Sequence, residues 1–139
     1  MTELQQVSFV INVRPFGKQR HRTSRGRTYT PKETVAYEKL IAQEAALHFK
    51  KPFDGPVHVD IAAVFKPAKS WSKKKTAAAM YQPHTQKPDK DNVEKAILDG
   101  MNKIAYHDDS QIAYGDVGKT WGAMDQIVTT VTQLPTTFK

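Results

Sequence analysis

The sequence predicts one α+β domain, a mixed sheet with two main helices in the order β-α-β-α-β-β. Three observations carry that expectation. Gln5 to Val13 and Val57 to Phe65 alternate apolar and polar residues with the period of a half-buried strand. Two other stretches carry helix signals, and Asp91 to Ile104 has the cleaner apolar stripe. With 139 residues, 39% of them hydrophobic, the chain fits a single domain over residues 1–139 and can fill one core.

In the first strand Val7, Phe9, Ile11 and Val13 share a face, and Pro15 and Gly17 end it. A basic loop then reaches a short β-prone patch at Thr28 and Tyr29. Thr30-Pro31-Lys32-Glu33 reads as a helix start, with Thr30 as cap, Pro31 at the first helical position and Glu33 completing a capping box. Val35, Ala36, Leu40 and Leu47 give this helix a rough apolar face, and its end is expected near Lys50, before Pro52. In the second strand Val57, Val59, Ile61, Ala63 and Phe65 face one way, His58 and Asp60 the other. Lys66 to Pro88 is long and basic, with a short helix expected at Thr76 to Tyr81. A connection of that length in a compact domain is usually functional or mobile. Val93, Ile97, Met101 and Ile104 form the core stripe of the second main helix. Gln111 to Trp121 and Gln126 to Leu134 are further β-like runs, the first interrupted by Gly115, Gly118 and Gly122 in the manner of a bulge or turn.

Composition narrows the function. Net charge is +7, with a pI near 9.6, which points to a polyanionic partner. The charge is clustered. Arg14, Lys18, Arg20, Arg22, Arg25, Arg27 and Lys32 form one block without an acid. Lys66, Lys69, Lys73, Lys74, Lys75, Lys87 and Lys90 form a second, broken only by Asp89. Arg14, Lys18, Arg20, Arg22, Arg25, Arg27, Lys73, Lys74, Lys75 and Lys119 are the candidate DNA contacts. The absence of cysteine excludes a disulfide framework, a Cys-ligated zinc and a thiol nucleophile, and is compatible with a cytoplasmic location. No apolar run nears the ~18 residues of a membrane span, and the N-terminus lacks the regions of a signal peptide. No GxxxxGK[ST] or GxGxxG occurs, so no nucleotide cofactor is expected. The five histidines lack HxH or HExxH spacing and are expected in loops or on the surface. Trp71, beside the lysine run, has two readings, a base-stacking platform or a loop anchor.

The acids concentrate elsewhere: five of nine aspartates fall between Asp89 and Asp109. If the chain stays extended through Asp91, Asp89 and Asp91 point to one side, roughly 6.5–7 Å apart at Cα, and can converge on a hard cation. This requires the helix to start at or after Asp91, which the Asp91/Glu94 capping-box spacing supports. Inside the helix Asp91, Lys95 and Asp99 form an i, i+4, i+8 row opposite the apolar stripe. Lys95 there can hold a phosphate or neutralise developing charge. If a strand follows Asp108-Asp109, alternation turns Asp109 toward the polar side with Gln111 and Ala113. Singly these features have ordinary readings as cap, turn and surface ion-pair ladder. Together, Asp89, Asp91 and Asp109 beside Lys95 describe a site for Mg²⁺-assisted phosphodiester cleavage, since Mg²⁺ takes oxygen ligands and activates water.

The segment from Pro88 to Gly100, Pro-Asp-Lys-Asp-Asn-Val-Glu-Lys-Ala-Ile-Leu-Asp-Gly, followed by Asp108-Asp109-Ser110-Gln111-Ile112, resembles the RusA family of Holliday-junction resolvases. Arg20-His21-Arg22 with Gly26 to Lys32 is similar to the N-terminal part of phage and prophage members. The resemblance implies a homodimer that cuts four-way DNA junctions with Mg²⁺, Mn²⁺ being able to substitute, in DNA recombination and repair. It assigns metal-binding and catalytic roles to Asp89, Asp91 and Asp109 and a catalytic role to Lys95. A non-catalytic nucleic-acid-binding module and a metal-dependent nuclease acting on flaps or RNA are the alternatives. The apolar runs Val7–Val13 and Ile127–Val131 are candidates for burial between subunits.

Overall fold

The computed structural model describes residues 4–20 and 22–136. Among them, seven strands and three α-helices follow in the order β1 (Gln6–Ile11), β2 (Arg22–Ser24), β3 (Arg27–Tyr29), α1 (Lys32–Ala46), β4 (Val57–Phe65), α2 (Lys73–Ala79), α3 (Lys90–Met101), β5 (Ile112–Tyr114), β6 (Val117–Trp121) and β7 (Gln126–Gln133). The main sheet is mixed. β1 pairs antiparallel with β7, and β7 antiparallel with β4. β5 and β6 both run parallel to β4 along its other edge. This is the expected α+β architecture.

Alternation builds the core. β4 spans the predicted residues and buries Val57, Val59, Ile61, Ala63 and Phe65 against α3, whose Val93, Ile97 and Met101 are inaccessible to solvent. α1 lies against α3 and β1 on the same side. The opposite face of the sheet presents Ser8, Val10, Ala62 and Val128. The break between β5 and β6 falls at Gly115, where φ is +155° and a Cβ would sit 1.9 Å from the Val59 carbonyl oxygen. Only glycine fits there, and the β4–β5 register shifts beside it.

Three local expectations are corrected. α1 is capped by the backbone of Pro31, with no side-chain cap from Thr30, and ends at Ala46. Its buried face is Thr34, Tyr37, Ile41 and Ala45, while Val35 and Leu47 are exposed. Buried polar groups made that stripe hard to read: the Thr34 hydroxyl donates to Gln19 Oε1 at 3.2 Å and the Tyr37 hydroxyl accepts from Phe16 N at 3.4 Å. α2 starts three residues earlier than Thr76, because Ser72 caps it by accepting from Lys75 N. The basic loop contains a β2–β3 hairpin, whose turn residues Arg25 and Gly26 both have positive φ (52° and 75°), the signature of a two-residue mirror-image turn. His84 lies in a loop, as expected, but is buried there, 5% exposed. Its ring stacks on Phe65 with centroids 3.8 Å apart and tilts against Trp121. Trp71 is a loop anchor, packed on Trp121 at 4.8 Å with the Lys75 ammonium over its ring.

Candidate active site

The chain enters α3 through a segment held from two sides. Gly17 packs on Pro88 so closely that a Cβ would lie 2.6 Å from the proline Cβ. Lys18 N donates to the Asn92 carbonyl at 2.9 Å. From the sheet, Lys119 Nζ donates to the carbonyls of Gln86 and Pro88 at 2.8 and 2.6 Å. Burial pulls the Lys119 pKa down, an effect the Asp89 charge opposes and the Lys87 charge reinforces. Lys119, expected to contact DNA, is therefore a clamp on the strap that precedes the helix.

Asp89 is the N-cap residue, in extended backbone conformation, and Lys90 is already helical. The helix thus starts one residue before Asp91, which corrects the expected start: Asp91 sits in the first turn, so the two carboxylates are not on one face of an extended segment. The Asp89 side chain accepts from Lys87 Nζ at 2.8 Å, which holds its pKa below the ordinary carboxylate value.

Asp91 opens onto a cleft of about 330 Å³ lined also by Asn92, Glu94, Lys95, Leu98, Asp99 and Asp109. Asp109 reaches it from a 3-10 turn, Asp109–Gln111, and not from a strand, so the alternation argument does not apply. The turn itself separates the two neighbouring aspartates. Asp108 is its N-cap: its carboxylate accepts from Ser110 N at 3.0 Å, and hydrogen bonding from Ser110 lowers its pKa. Gln111, a residue whose role went unread, completes the capping box. Its Oε1 accepts from His107 N and Asp108 N at 2.7 and 2.9 Å, while its Nε2 donates to the carbonyls of Phe53 and Gly55, both at 2.8 Å. The signal was present as Asp-x-x-Gln spacing. Tyr106, also unread, is fully buried, and its hydroxyl donates to the Leu98 carbonyl at 2.6 Å. Burial, reinforced by the charges of Asp109 and Asp99, pushes its phenol pKa up.

Lys95 lies 3.8 Å from Asp99 and is mostly exposed. Asp99 is also held by Lys18 at 3.0 Å, and Lys18 in turn bonds Glu38. Burial works against the Lys18 charge, but the hydrogen bonds to Glu38 and Asp99 outweigh it and raise its pKa. Lys18 is thus an internal cation rather than a free phosphate contact. Arg14 is likewise engaged, donating to Asp125 Oδ1 at 2.9 Å and to the Lys66 carbonyl at 3.0 Å. A second depression, of about 260 Å³, is lined by Lys18, Gln19, Arg20, Asn92 and Lys95. It adjoins the acidic cleft through the shared residues Asn92 and Lys95.

Of the remaining candidate DNA contacts, Arg20 is exposed beside this depression, Arg25 and Arg27 are exposed on the hairpin, and Lys73, Lys74 and Lys75 are exposed on α2. Arg22 lies on β2, but its side chain and His21 fall outside the described residues. Asp91, Asp109 and Lys95 therefore share one cleft, whereas Asp89 pairs with Lys87 outside it. Among the described residues, no three or more carboxylate, histidine or cysteine groups are already gathered as a metal-binding set. No helix among them is long and apolar enough to cross a membrane.

The sequence profile of the family described as Endodeoxyribonuclease RusA matches residues 12–132. The chain belongs to the RusA family. The matched span takes in the acidic cleft, the adjoining basic depression, the hairpin and the main sheet except β1, which precedes it, and the last residue of β7. The chain is also similar to the uncharacterized protein YqaN of Bacillus subtilis (strain 168), 34% identical over 96 residues that cover 64% of this chain and 66% of the relative. It thus spans just under two thirds of that protein's length.

Proposed function

We propose that the protein is a structure-selective endodeoxyribonuclease that resolves four-way DNA junctions by Mg²⁺-dependent phosphodiester hydrolysis, as a homodimer in the cytoplasm, in recombination and repair. The observation that carries this reading is the contiguity of the two depressions. Carboxylates (Asp91, Asp109) line one side of Lys95, and a cationic recess with Arg20 lines the other. A backbone phosphate held by Arg20 and Lys95 would lie at the mouth of the acidic cleft.

The donor set suits the metal. It is all hard oxygen, and Mg²⁺ is commonly held by one or two carboxylates together with substrate phosphates and waters. Asp91 and Asp109 would hold it. Asp89 would join them by releasing Lys87, an exposed partner whose pairing is weak. The bound ion would polarise the phosphoryl oxygen and acidify the attacking water. Lys95 would oppose the negative charge that builds on the phosphate oxygens in the transition state. Asn92 would orient the phosphate from the shared wall. Exposed Arg25, Arg27, Lys73 and Lys74 would track the junction arms.

The test is a panel of labelled four-way junction, flap, linear duplex and RNA hairpin, each with Mg²⁺, Mn²⁺ or chelator. Metal-dependent paired cuts in the junction are expected, with little action on duplex or RNA. Asp89→Asn, Asp91→Asn and Asp109→Asn should each bind the junction without cutting it. Binding without any cleavage by the wild type in either metal would reduce the protein to a nucleic-acid-binding module. Preferential cutting of flaps or RNA would reassign the substrate.

A further inference from the structure

We propose that a third depression, beyond the acidic cleft as seen from Arg20, takes one unstacked nucleobase of the DNA strand being cut, with Tyr114 as its stacking platform. This inference rests on the nuclease reading above and adds where the nucleotide beside the scissile phosphate goes. The depression has a volume of about 370 Å³ and lies between Glu94 and Leu98 of α3 on one side and Ile112, Tyr114 and Gly115 on the other. It adjoins the acidic cleft through the shared residues Glu94 and Leu98. Helix geometry sets the order. At 100° per residue Asn92 and Lys95, then Asp91, then Leu98 and Glu94 follow one another around the side of α3 opposite its buried stripe. The basic depression, the acidic cleft and the third depression are therefore successive parts of one groove across the helix.

Chemistry identifies the occupant. The chain carries 21 lysines and arginines, yet none lines this depression. Its one charged side chain is Glu94, which repels a phosphate but not a neutral base. Val59, Leu98 and Ile112 supply apolar wall. Tyr114 supplies an aromatic ring, 68% exposed, whose side chain has no hydrogen-bond, ion-pair or ring partner among the described residues. Every base has a π-face, so such a ring accepts a base of any sequence. The volume is at the small end of the ~300–1,000 Å³ of small-ligand sites, which suits one base and not a base pair. The walls are set before DNA arrives. Leu98 and Ile112 pack on the core, and Gly115 sits where a Cβ would collide with the Val59 carbonyl oxygen. Phosphate, metal and base sites then follow in the order in which one nucleotide presents them. Unstacking a base costs least where its pairing or stacking is already interrupted, as at a branch point. Filling this depression therefore favours a junction over linear duplex.

The test compares single-turnover cleavage in Mg²⁺ of an intact junction with that of junctions carrying one abasic nucleotide on either side of the scissile phosphate. For the wild type, the abasic nucleotide on one of the two sides should slow cleavage roughly 5- to 150-fold, the equivalent of ~1–3 kcal/mol for one stacked base. Tyr114→Ala should slow the intact junction by a similar factor and the abasic one no further, with an unchanged melting temperature. Tyr114→Phe keeps the ring and should cut as the wild type does. In chelator, where no cutting occurs, 5-iododeoxyuridine at the sensitive nucleotide should photocross-link to the wild type at Tyr114. Abasic junctions cut at the intact rate, or an abasic penalty that persists in full in Tyr114→Ala, overturn the base site while the nuclease reading stands. Cross-linking only to residues outside the depression overturns it as well, whatever the stability of the variants. A wild type that leaves the intact junction uncut overturns both.

Discussion

Replacing Gln111 with Met removes four hydrogen bonds at once, because its amide accepts from two backbone N–H groups of the Asp108 turn and donates to two carbonyls of the Phe53–Gly55 segment. Met keeps the length and apolar volume of the side chain, so the change reads out the bonds. At about 0.5–1.5 kcal/mol net per bond, and with some of these bonds solvent-accessible, the loss should be about 2–4 kcal/mol. The unfolding entropy of a 139-residue chain is about 0.3 kcal/mol per degree, so the melting temperature should fall by roughly 7–14 °C. Gln111→Glu retains the two acceptor bonds but sets a carboxylate against two carbonyl oxygens, and should not rescue. The turn that Gln111 braces carries Asp109 into the acidic cleft, so single-turnover junction cleavage should drop well below wild type at a temperature where the variant is still folded. Junction affinity should hold. Asp109→Asn should also lose cleavage, but while melting normally. A Gln111→Met protein that melts within two degrees of wild type would show that the brace adds nothing. One that is destabilised yet cuts at the native rate would show that Asp109 is positioned by something else.

Asp108→Asn should cut junctions at close to the native rate, because asparagine caps as well as aspartate; inactivity equal to Asp109→Asn would bring Asp108 into the chemistry. Lys18→Met should lower stability at neutral pH. The folded-state pKa of Lys18 is raised above its ordinary 10.5, so its contribution is fully present below that value and disappears as pH rises through the folded-state pKa. The stability gap between variant and wild type in urea titrations should therefore be flat from pH 6 to 9 and close above about pH 10.5; a gap that widens at high pH would refute the sign. Neutralising Arg20, Arg25 and Arg27 together should reduce the log–log salt slope of junction binding by up to roughly 0.9 per true phosphate contact. Arg14→Gln should leave that slope unchanged, since Arg14 is tied to Asp125.

Local pattern made the strands and α3 legible. β4 has the bounds that its alternation predicts, and the Val93–Ile97–Met101 stripe faces the core. The face of α1 was not legible because Thr34 and Tyr37 enter the core with their polar ends satisfied, and no periodic count of apolar residues finds them. The start of α3 was misjudged for a related reason: both Asp89 and Asp91 carry the chemistry of a cap, and tertiary anchoring of Pro88 by Gly17 and Lys119 selects the first. Asp91, Asp109 and Lys95 emerged from spacing and family resemblance, and they line one cleft. The fates of Arg14, Lys18 and Lys119 were invisible because their partners lie 111, 20 and 31 residues away in sequence. A cation in a basic run reads as free until its long-range partner is known.

The β2–β3 hairpin has three-residue strands that pair with each other as a two-stranded sheet separate from the main one. A lone two-stranded ribbon is marginally stable in water. Its amide protons should therefore exchange with solvent almost at the rate of an open chain, while those of β4 and β7 wait for global unfolding. Clamped on DNA, the ribbon would become protected, and the conformational entropy lost in doing so is subtracted from what its arginines contribute to affinity. Engagement of this arm would carry an unfavourable entropy that cooling relieves.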